Sequence, residues 1–203
     1  TVGCVANRSE VYTDGEKTAT YDAALTAAGC EKAAAFVNFC NAFEIPVLTL
    51  VNVDGYKNCK CNEKKIAKAA ARLTYAFANA DVPKVTVVVG KANGTAGLTM
   101  NSKSIGSDIV YAWKNAKIGV MEAAPAVKIM YADEITKADN AAALINEKAA
   151  QYNEMQASAL AAAKRGYVDD IIEASETRQR VAAAFEMLFT KREDRPSKKH
   201  GTI

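Results

Sequence analysis

The chain has 203 residues and a net charge of +3, from 26 Lys and Arg against 23 Asp and Glu. Half of the residues are hydrophobic and 24% are charged, which is typical of a folded domain and excludes a disordered chain. So small a positive surplus indicates no nucleic-acid partner, and no apolar run reaches the ~18 residues of a membrane span. A chain of this length buries enough surface to fold without disulfides or a metal ion.

The cysteines bear on the cellular compartment of the protein, and the first residue bears on whether the chain is a fragment. Five cysteines without regular spacing make a poor disulfide framework, which favours a reducing cytoplasm. No basic segment followed by an apolar run, as in a secretory signal, opens the chain. Because the sequence starts at Thr1 inside a predicted strand, we expect a fragment, a processed subunit or a trimmed chain.

The first half of the chain alternates predicted strands and helices. Apolar residues at helical spacings, such as Phe36, Val37 and Cys40, predict a helix over residues 23–43. A nearly continuous run of valines predicts a strand over 83–90 that is covered on both faces. The other predictions are strands over 1–7 and 46–53, a helix over 63–80, a polar excursion over 8–22 and a loop over 54–62.

The second half continues the alternation and adds a helical arm. Residues 91–100 form a glycine-rich turn that enters a short helix, and Pro125 suits the first turn of another helix. Ser175 is the predicted N-cap of a helix over 176–190. The other predictions are strands over 108–113, 117–121 and 167–173, a polar helical arm over 138–164 and a basic tail over 191–203. Strands that alternate with helices predict one α/β domain with crossover connections and a largely parallel sheet.

Side chains that commonly carry catalysis are scarce. His200 is the only histidine and lies in the basic tail, so the sequence offers neither a histidine metal site nor a catalytic triad away from the terminus. Cys59 and Cys61 are interpreted as two free loop thiols, in preference to a metal or redox site. Neighbouring lysines could lower the pKa of these thiols and make the pair oxidisable. The three glycines of residues 90–97 match no nucleotide-binding motif.

Backbone chemistry is the alternative that the sequence offers. Two predicted strands end in glycine-containing turns that feed helices, at residues 53–55 and 90–97. Small residues let a ligand approach the main chain, and two amides aimed at one point can hold an oxyanion. On spacing alone, plain tight turns that pack a helix against the sheet are the favoured interpretation.

Six segments, in order and over nearly the whole chain, resemble the C-terminal domain of biotin-dependent acyl-CoA carboxyltransferases. This family includes propionyl-CoA carboxylase β subunits and methylmalonyl-CoA decarboxylase α subunits. The segments are residues 29–55, 74–87, 91–103, 108–113, 163–172 and 190–201.

The resemblance implies a crotonase-like fold, a spiral of ββα units with a helical arm, for residues 1–203 as a single domain. In the family, a protomer joins an N-terminal domain, which mainly binds CoA, to a C-terminal domain that mainly binds carboxybiotin. Protomers form trimers that stack into hexamers, with the site between domains of different protomers. The implied partners are therefore the N-terminal domain, a biotin carboxyl carrier protein and further copies of the protomer.

The resemblance also implies site residues. The family holds the biotin ureido oxygen on main-chain amides of a Gly-Gly-Ala turn, which corresponds to Gly94, Thr95 and Ala96 here. Thr95 and Ala96 are thus the implied catalytic donors. Gly55 would leave room for biotin, and Leu98 would touch the acyl group of the acyl-CoA. No metal is implied.

The sequence departs from the family at several segments that line its cleft. Proline and glycine positions of the family are replaced over residues 54–59 and 122–126, and Lys64, Lys65 and Lys68 replace part of a glycine-containing helix start. These departures keep open a catalytically degenerate homologue that acts as an oligomer scaffold. A hydratase or isomerase would need paired carboxylates, and Glu122 and Asp108 have no partners at suitable spacing.

Overall fold

The computed structural model describes residues 1–7 and 9–193. That part of the chain contains ten strands, eight α-helices and two short 3-10 helices, Lys103–Ile105 and Ala174–Glu176. The strands are β1 (Gly3–Ala6), β2 (Glu10–Thr13), β3 (Glu16–Thr20), β4 (Ala24–Leu25), β5 (Val47–Val53), β6 (Gly55–Tyr56), β7 (Lys84–Asn93), β8 (Ile109–Trp113), β9 (Lys117–Gly119) and β10 (Asp170–Ile172). The helices are α1 (Ala27–Ala42), α2 (Lys60–Asn79), α3 (Gly94–Thr99), α4 (Ala123–Met130), α5 (Ala132–Lys137), α6 (Ala141–Met155), α7 (Ala159–Lys164) and α8 (Thr177–Met187).

A parallel sheet organises the domain, in the order β1-β5-β7-β8-β10. The first half of β7 pairs with β8 and its second half with β9, also in parallel. Val85, Val87 and Val88 of β7 are buried because the sheet is covered on both faces there, and Val89 is partly buried. The sequence prediction of an α/β domain with a largely parallel sheet is confirmed.

A register shift in the β5–β7 pairing redirects the end of β7 towards β9. Val51 pairs with Val88, but Val53 pairs with Ala92, so β7 has two additional residues between these pairs. The side chain of Asn52 fills the irregularity, and its Oδ1 accepts a hydrogen bond of 3.1 Å from the backbone N–H of Lys91. A Cβ on Gly90 would lie 2.4 Å from this Oδ1, so a larger residue there would displace the Asn52 side chain.

The core lies between the sheet and the paired helices α1 and α2. Thr26 caps α1 by accepting a hydrogen bond of 3.1 Å from the N–H of Gly29. Val37 of α1 and Leu73 and Phe77 of α2 are fully buried against β5 and β7. Burial of these apolar faces supplies the main stabilisation of this layer.

The helical arm predicted over residues 138–164 is confirmed as α6 and α7. The arm begins at Asn140, whose side chain accepts a hydrogen bond of 3.1 Å from the N–H of Ala143. Helix α6 packs against α4 and buries no residue fully, whereas α7 buries Ala159 and Ala162. No helix within the described residues is long and apolar enough to cross a membrane.

Several predicted elements differ from the structure. The polar excursion contains an antiparallel hairpin, in which β2 and β3 pair across a turn formed by Asp14 and Gly15, both with positive φ. Ser175 lies within a 3-10 turn, and Glu176 is the N-cap of α8, so the predicted cap is wrong. Gly55 does not lead directly into a helix: it pairs with Ala24 in the strand β6, and α2 begins only at Lys60. His200 and residues 194–203 lie outside the described residues.

Candidate functional site

A cleft of about 490 Å³ lies where β7 ends and α3 begins. Four of the five site residues implied by the sequence resemblance line it together: Gly55, Gly94, Thr95 and Ala96. The rest of the wall comes from the start of β6, the end of β9 and the start of α4. Those lining residues are Asp54, Tyr56, Asn93, Val120, Met121, Glu122 and Pro125.

The turn into α3 requires glycine at its first position. Gly94 has a φ of 57°, in the left-handed region, and a Cβ there would lie 2.9 Å from the carbonyl oxygen of Val120. A second glycine keeps α3 close to the strand, because a Cβ on Gly97 would lie 2.7 Å from the carbonyl carbon of Ala92. These contacts fix the turn against β7 and β9.

Main-chain amides of this turn are the donors that the cleft offers. The N–H groups of Gly94, Thr95 and Ala96 occupy the first three positions of α3, where no acceptor exists within the helix. The preceding Asn93 does not cap them, because its side chain instead donates to Oδ1 of Asp54 at 3.3 Å. The Thr95 and Ala96 amides are therefore suited to an acceptor atom in the cleft.

A hydroxyl chain holds Tyr56 against α3. The Tyr56 hydroxyl lies 3.1 Å from Oγ1 of Thr99, and Thr99 donates to the carbonyl oxygen of Thr95 at 2.8 Å. Tyr56 is half-buried and forms one wall of the cleft without closing it. The cleft is therefore bounded by β6 on one side and by α3 on the other, and these two elements are joined through Thr99.

An ion network beside the cleft was not found by sequence reasoning. Lys91 Nζ lies 3.0 Å from Asp54 Oδ1 and 2.7 Å from Glu122 Oε1, and both carboxylates line the cleft. Hydrogen bonds to Glu122 and then to Asp54 raise the pKa of the Lys91 ammonium above its ordinary value. The three residues come from separate segments with no shared motif, so only the fold brings them together.

Leu98 does not line the cleft but lies on a second cavity, which it shares with Gly94 and Thr95. This second cavity, of about 530 Å³, is mainly apolar and is lined by Leu98 together with Val88, Met100 and Val110. Thr95 and Gly94 line both cavities, so the turn forms the wall between them. The structure thus places Leu98 next to the cleft and on the opposite side of the turn.

The lysines that depart from the family pattern lie away from the cleft. Lys64, Lys65 and Lys68 are exposed along α2, and none of them is among the residues that line the cleft. Within residues 1–7 and 9–193, no group of three His, Cys, Asp or Glu residues is arranged to hold a metal ion.

The match to known proteins extends over the whole chain. Residues 1–203 match the family model described as the carboxyl transferase domain. The chain belongs to the carboxyl transferase domain family. It is 40% identical over 203 residues to the methylmalonyl-CoA carboxyltransferase 12S subunit of Propionibacterium freudenreichii, covering 100% of this chain and 37% of that protein. It is 41% identical over 209 residues to the methylmalonyl-CoA decarboxylase subunit alpha of Propionigenium modestum, covering 100% and 38% respectively.

Solved structures of carboxyl transferase domain proteins share the fold. A transcarboxylase 12S hexamer structure with methylmalonyl-coenzyme A and methylmalonic acid bound matches with a TM-score of 0.84 and 42% identity, over 88% of this chain and 35% of that one. The β subunit of geranyl-CoA carboxylase from P. aeruginosa matches with a TM-score of 0.73 and 25% identity, over 95% and 38%. The chain spans just over a third of the length of these relatives. The expected crotonase-like fold and the family resemblance are both confirmed.

Proposed function

We propose that residues 1–203 are the biotin-side, C-terminal half of an acyl-CoA carboxyltransferase, which moves a carboxyl group between carboxybiotin and a short acyl-CoA. Family membership over the whole chain supports the reaction class. Relatives named as a methylmalonyl-CoA carboxyltransferase and a methylmalonyl-CoA decarboxylase support a short acyl-CoA substrate. The observation that carries the proposal is the cleft at the first turn of α3, where the main-chain amides have no acceptor within the helix and no side-chain cap.

The donors in the cleft suit the ureido group of biotin. Biotin, when bound, carries the transferable carboxyl group on a ureido nitrogen. The N–H groups of Thr95 and Ala96 would donate to the ureido oxygen and stabilise the negative charge that develops there as the carboxyl group leaves. In enzymes, removal of one such donor raises the barrier by about 2.7–4 kcal/mol. Only backbone groups are needed, so a threonine at position 95 is compatible with this role.

The remaining predicted residues have distinct positions around this turn. A Cβ on Gly55 would meet no protein atom within 4 Å, so this residue borders open space in the cleft, as room for the biotin ring requires. Leu98 is 46% exposed and lies on the other side of the turn. We propose that this side receives the acyl group of the acyl-CoA, with the Thr95 turn between the two reactants.

Exposed apolar residues beside the cleft support a partner surface. Val120 is 76% exposed and Ile129 is 70% exposed, at the end of β9 and on α4. Met130 is 60% exposed on the same helix. Exposed apolar side chains of this size are common at interfaces. We propose that it contacts the N-terminal carboxyltransferase domain in a trimer or hexamer, while a biotin carboxyl carrier protein delivers biotin to the cleft.

Carboxyl transfer by the full-length protein tests this function. The protein is incubated with free biotin and either malonyl-CoA or methylmalonyl-CoA, and the decarboxylated acyl-CoA and carboxybiotin are quantified. Transfer from at least one of these thioesters is expected. Absence of transfer with every short acyl-CoA, from a protein that assembles normally, would overturn the proposal and favour a catalytically degenerate scaffold.

A further inference from the structure

Two neighbouring cysteines lie at the start of α2, outside the cleft and outside the proposed carboxyl transfer. The Sγ atoms of Cys59 and Cys61 are 2.8 Å apart. Cys59 is partly exposed and Cys61 is exposed, so a small oxidant in solvent reaches both sulfurs. Neither residue lines the cleft described above.

The other three cysteines have different environments. Cys30 and Cys40 are buried in the core, where burial raises the pKa of each thiol, for Cys30 to about 11. Cys4 is exposed at the residue level, yet partial burial of its thiol also raises its pKa. Because the thiolate is the reactive form, these three cysteines are poorly suited to oxidation.

The local contacts give the two sulfurs of the pair different roles. The thiol of Cys61 hydrogen-bonds to Cys59 and lowers the pKa of Cys59, with further contributions from the backbone N–H of Asn62 and the charge of Lys57. The same hydrogen bond raises the pKa of Cys61. Cys59 is therefore the nucleophile of the pair, and Cys61 is the neighbouring thiol that can resolve an oxidised Cys59.

The backbone around the pair is held on both sides. The carbonyl oxygen of Cys59 accepts hydrogen bonds from the N–H groups of Asn62 at 2.9 Å and Glu63 at 3.0 Å. The buried Asn62 side chain donates to the carbonyl oxygen of Lys57 at 2.7 Å and accepts from the N–H of Ala27 at 2.7 Å. A disulfide needs a sulfur separation of about 2.05 Å, so the two sulfurs must approach by only about 0.8 Å.

We propose that Cys59 and Cys61 are a reversible thiol–disulfide site, oxidised by hydrogen peroxide and reduced by small thiols. The Cys59 thiolate attacks one peroxide oxygen, the O–O bond breaks, and the departing hydroxide takes a proton to become water. The sulfur of Cys61 then attacks the sulfenic acid of Cys59, the S–O bond breaks, and hydroxide leaves with the Cys61 proton as a second water. Two thiols and one peroxide thus give one disulfide and two waters, and two small thiols reverse the oxidation.

Peptide mapping of the full-length protein tests the site without any activity measurement. Trypsin cleaves after Lys57, Lys60 and Lys64, so residues 58–60 and 61–64 become separate peptides unless a disulfide joins them. After mild peroxide treatment we expect the joined pair, which separates on addition of a reductant. Separate peptides with both thiols still free, or Cys59 joined to a second copy of the protein, would overturn the proposal.

Serine variants assign the roles of the two sulfurs. In Cys61→Ser we expect a Cys59 sulfenic acid that a sulfenic-acid reagent traps, with no joined peptides. In Cys59→Ser we expect the loss of the Cys61 thiol to slow by about tenfold or more, because the remaining thiol has lost its nucleophilic partner. Cys4→Ser is the control and retains the joined pair. Equal peroxide reactivity of Cys59 and Cys4 in the unaltered protein would contradict the inference.

Discussion

The proposed oxyanion donors can be tested by removing one N–H group without removing a side-chain function. Ala96 occupies the third position of α3, so its N–H has no acceptor within the helix and proline there sacrifices no helical hydrogen bond. The same chain already tolerates proline at this position, because Pro125 is the third residue of α4. Ala96→Pro therefore removes one proposed donor without breaking a hydrogen bond of the helix.

The expected fall in kcat follows from the free energy that one oxyanion donor contributes to the transition state. Loss of a single oxyanion hydrogen bond costs about 2.7–4 kcal/mol of barrier, so kcat for carboxyl transfer should fall by about 10²–10³-fold. The assay is steady-state transfer from methylmalonyl-CoA to free biotin, with both kcat and the KM for biotin measured. An interaction made only with developing charge appears in kcat, whereas a proline ring that merely obstructs the cleft would raise KM and leave kcat unchanged.

Two control variants keep the N–H groups in place. Ala96→Gly removes the methyl group of a residue that is 1% exposed but retains the amide, and Thr95→Ala removes the hydroxyl and the γ-methyl group but retains the amide. Both should retain kcat within about threefold, if main-chain rather than side-chain groups stabilise the charge. The reasoning is refuted if folded Ala96→Pro retains the unaltered kcat, or if Ala96→Gly loses as much as the proline variant does.

Three further variants test the fold and the ion network. Phe77→Ala should lower the free energy of unfolding by about 3–5 kcal/mol in urea titrations, because Phe77 is fully buried; a cost below about 1 kcal/mol would contradict this packing. Gly90→Ala should cost about 1–3 kcal/mol, since its Cβ would lie 2.4 Å from Asn52 Oδ1. A double-mutant cycle with Asn52→Ala should show coupling, and additive costs would argue against the contact. Lys91→Met should cost at most about 1 kcal/mol. Because the pKa of Lys91 is raised in the folded protein, this contribution is complete below the ordinary value of 10.5 and is lost as pH rises through the raised pKa. The exposed Lys114→Met is the control, and an equal pH dependence in that variant would contradict the assignment.

The regular elements were predictable where local pattern and tertiary environment agree. The valine run of β7 and the apolar stripe of α1 identify a buried strand and its packed helix. The start of α2 was missed by three residues, because Cys59 is not a common capping residue and makes no side-chain cap. The buried side chain of Asn62 instead holds this end through Ala27 and Lys57, which are contacts that no local pattern reveals.

In the candidate site, too, features set by local sequence were predictable and those set by tertiary packing were not. The glycine-rich turn was predicted from its composition, and the family resemblance supplied the expected role of Gly94, whose φ the structure places in the left-handed region. The position of Leu98 across the turn from Ala96 depends on how α3 sits on β7, which sequence spacing does not give. The hydroxyl contact between Tyr56 and Thr99 likewise joins residues 43 positions apart.

The ion network explains how an anionic carboxyl group could be accepted in a cleft whose walls carry carboxylates. Asp54 and Glu122 both line the cleft, and two unpaired negative charges there would repel a carboxylated ligand. Lys91 contacts both, which reduces the three residues to one net negative charge. Since the ammonium is engaged with its two partners, the proposed donors to developing charge remain the main-chain amides of Thr95 and Ala96. In this proposal the side chains of Asp54, Glu122 and Lys91 balance charge, and main-chain amides stabilise the reacting oxygen. The reaction centre then needs no titratable group.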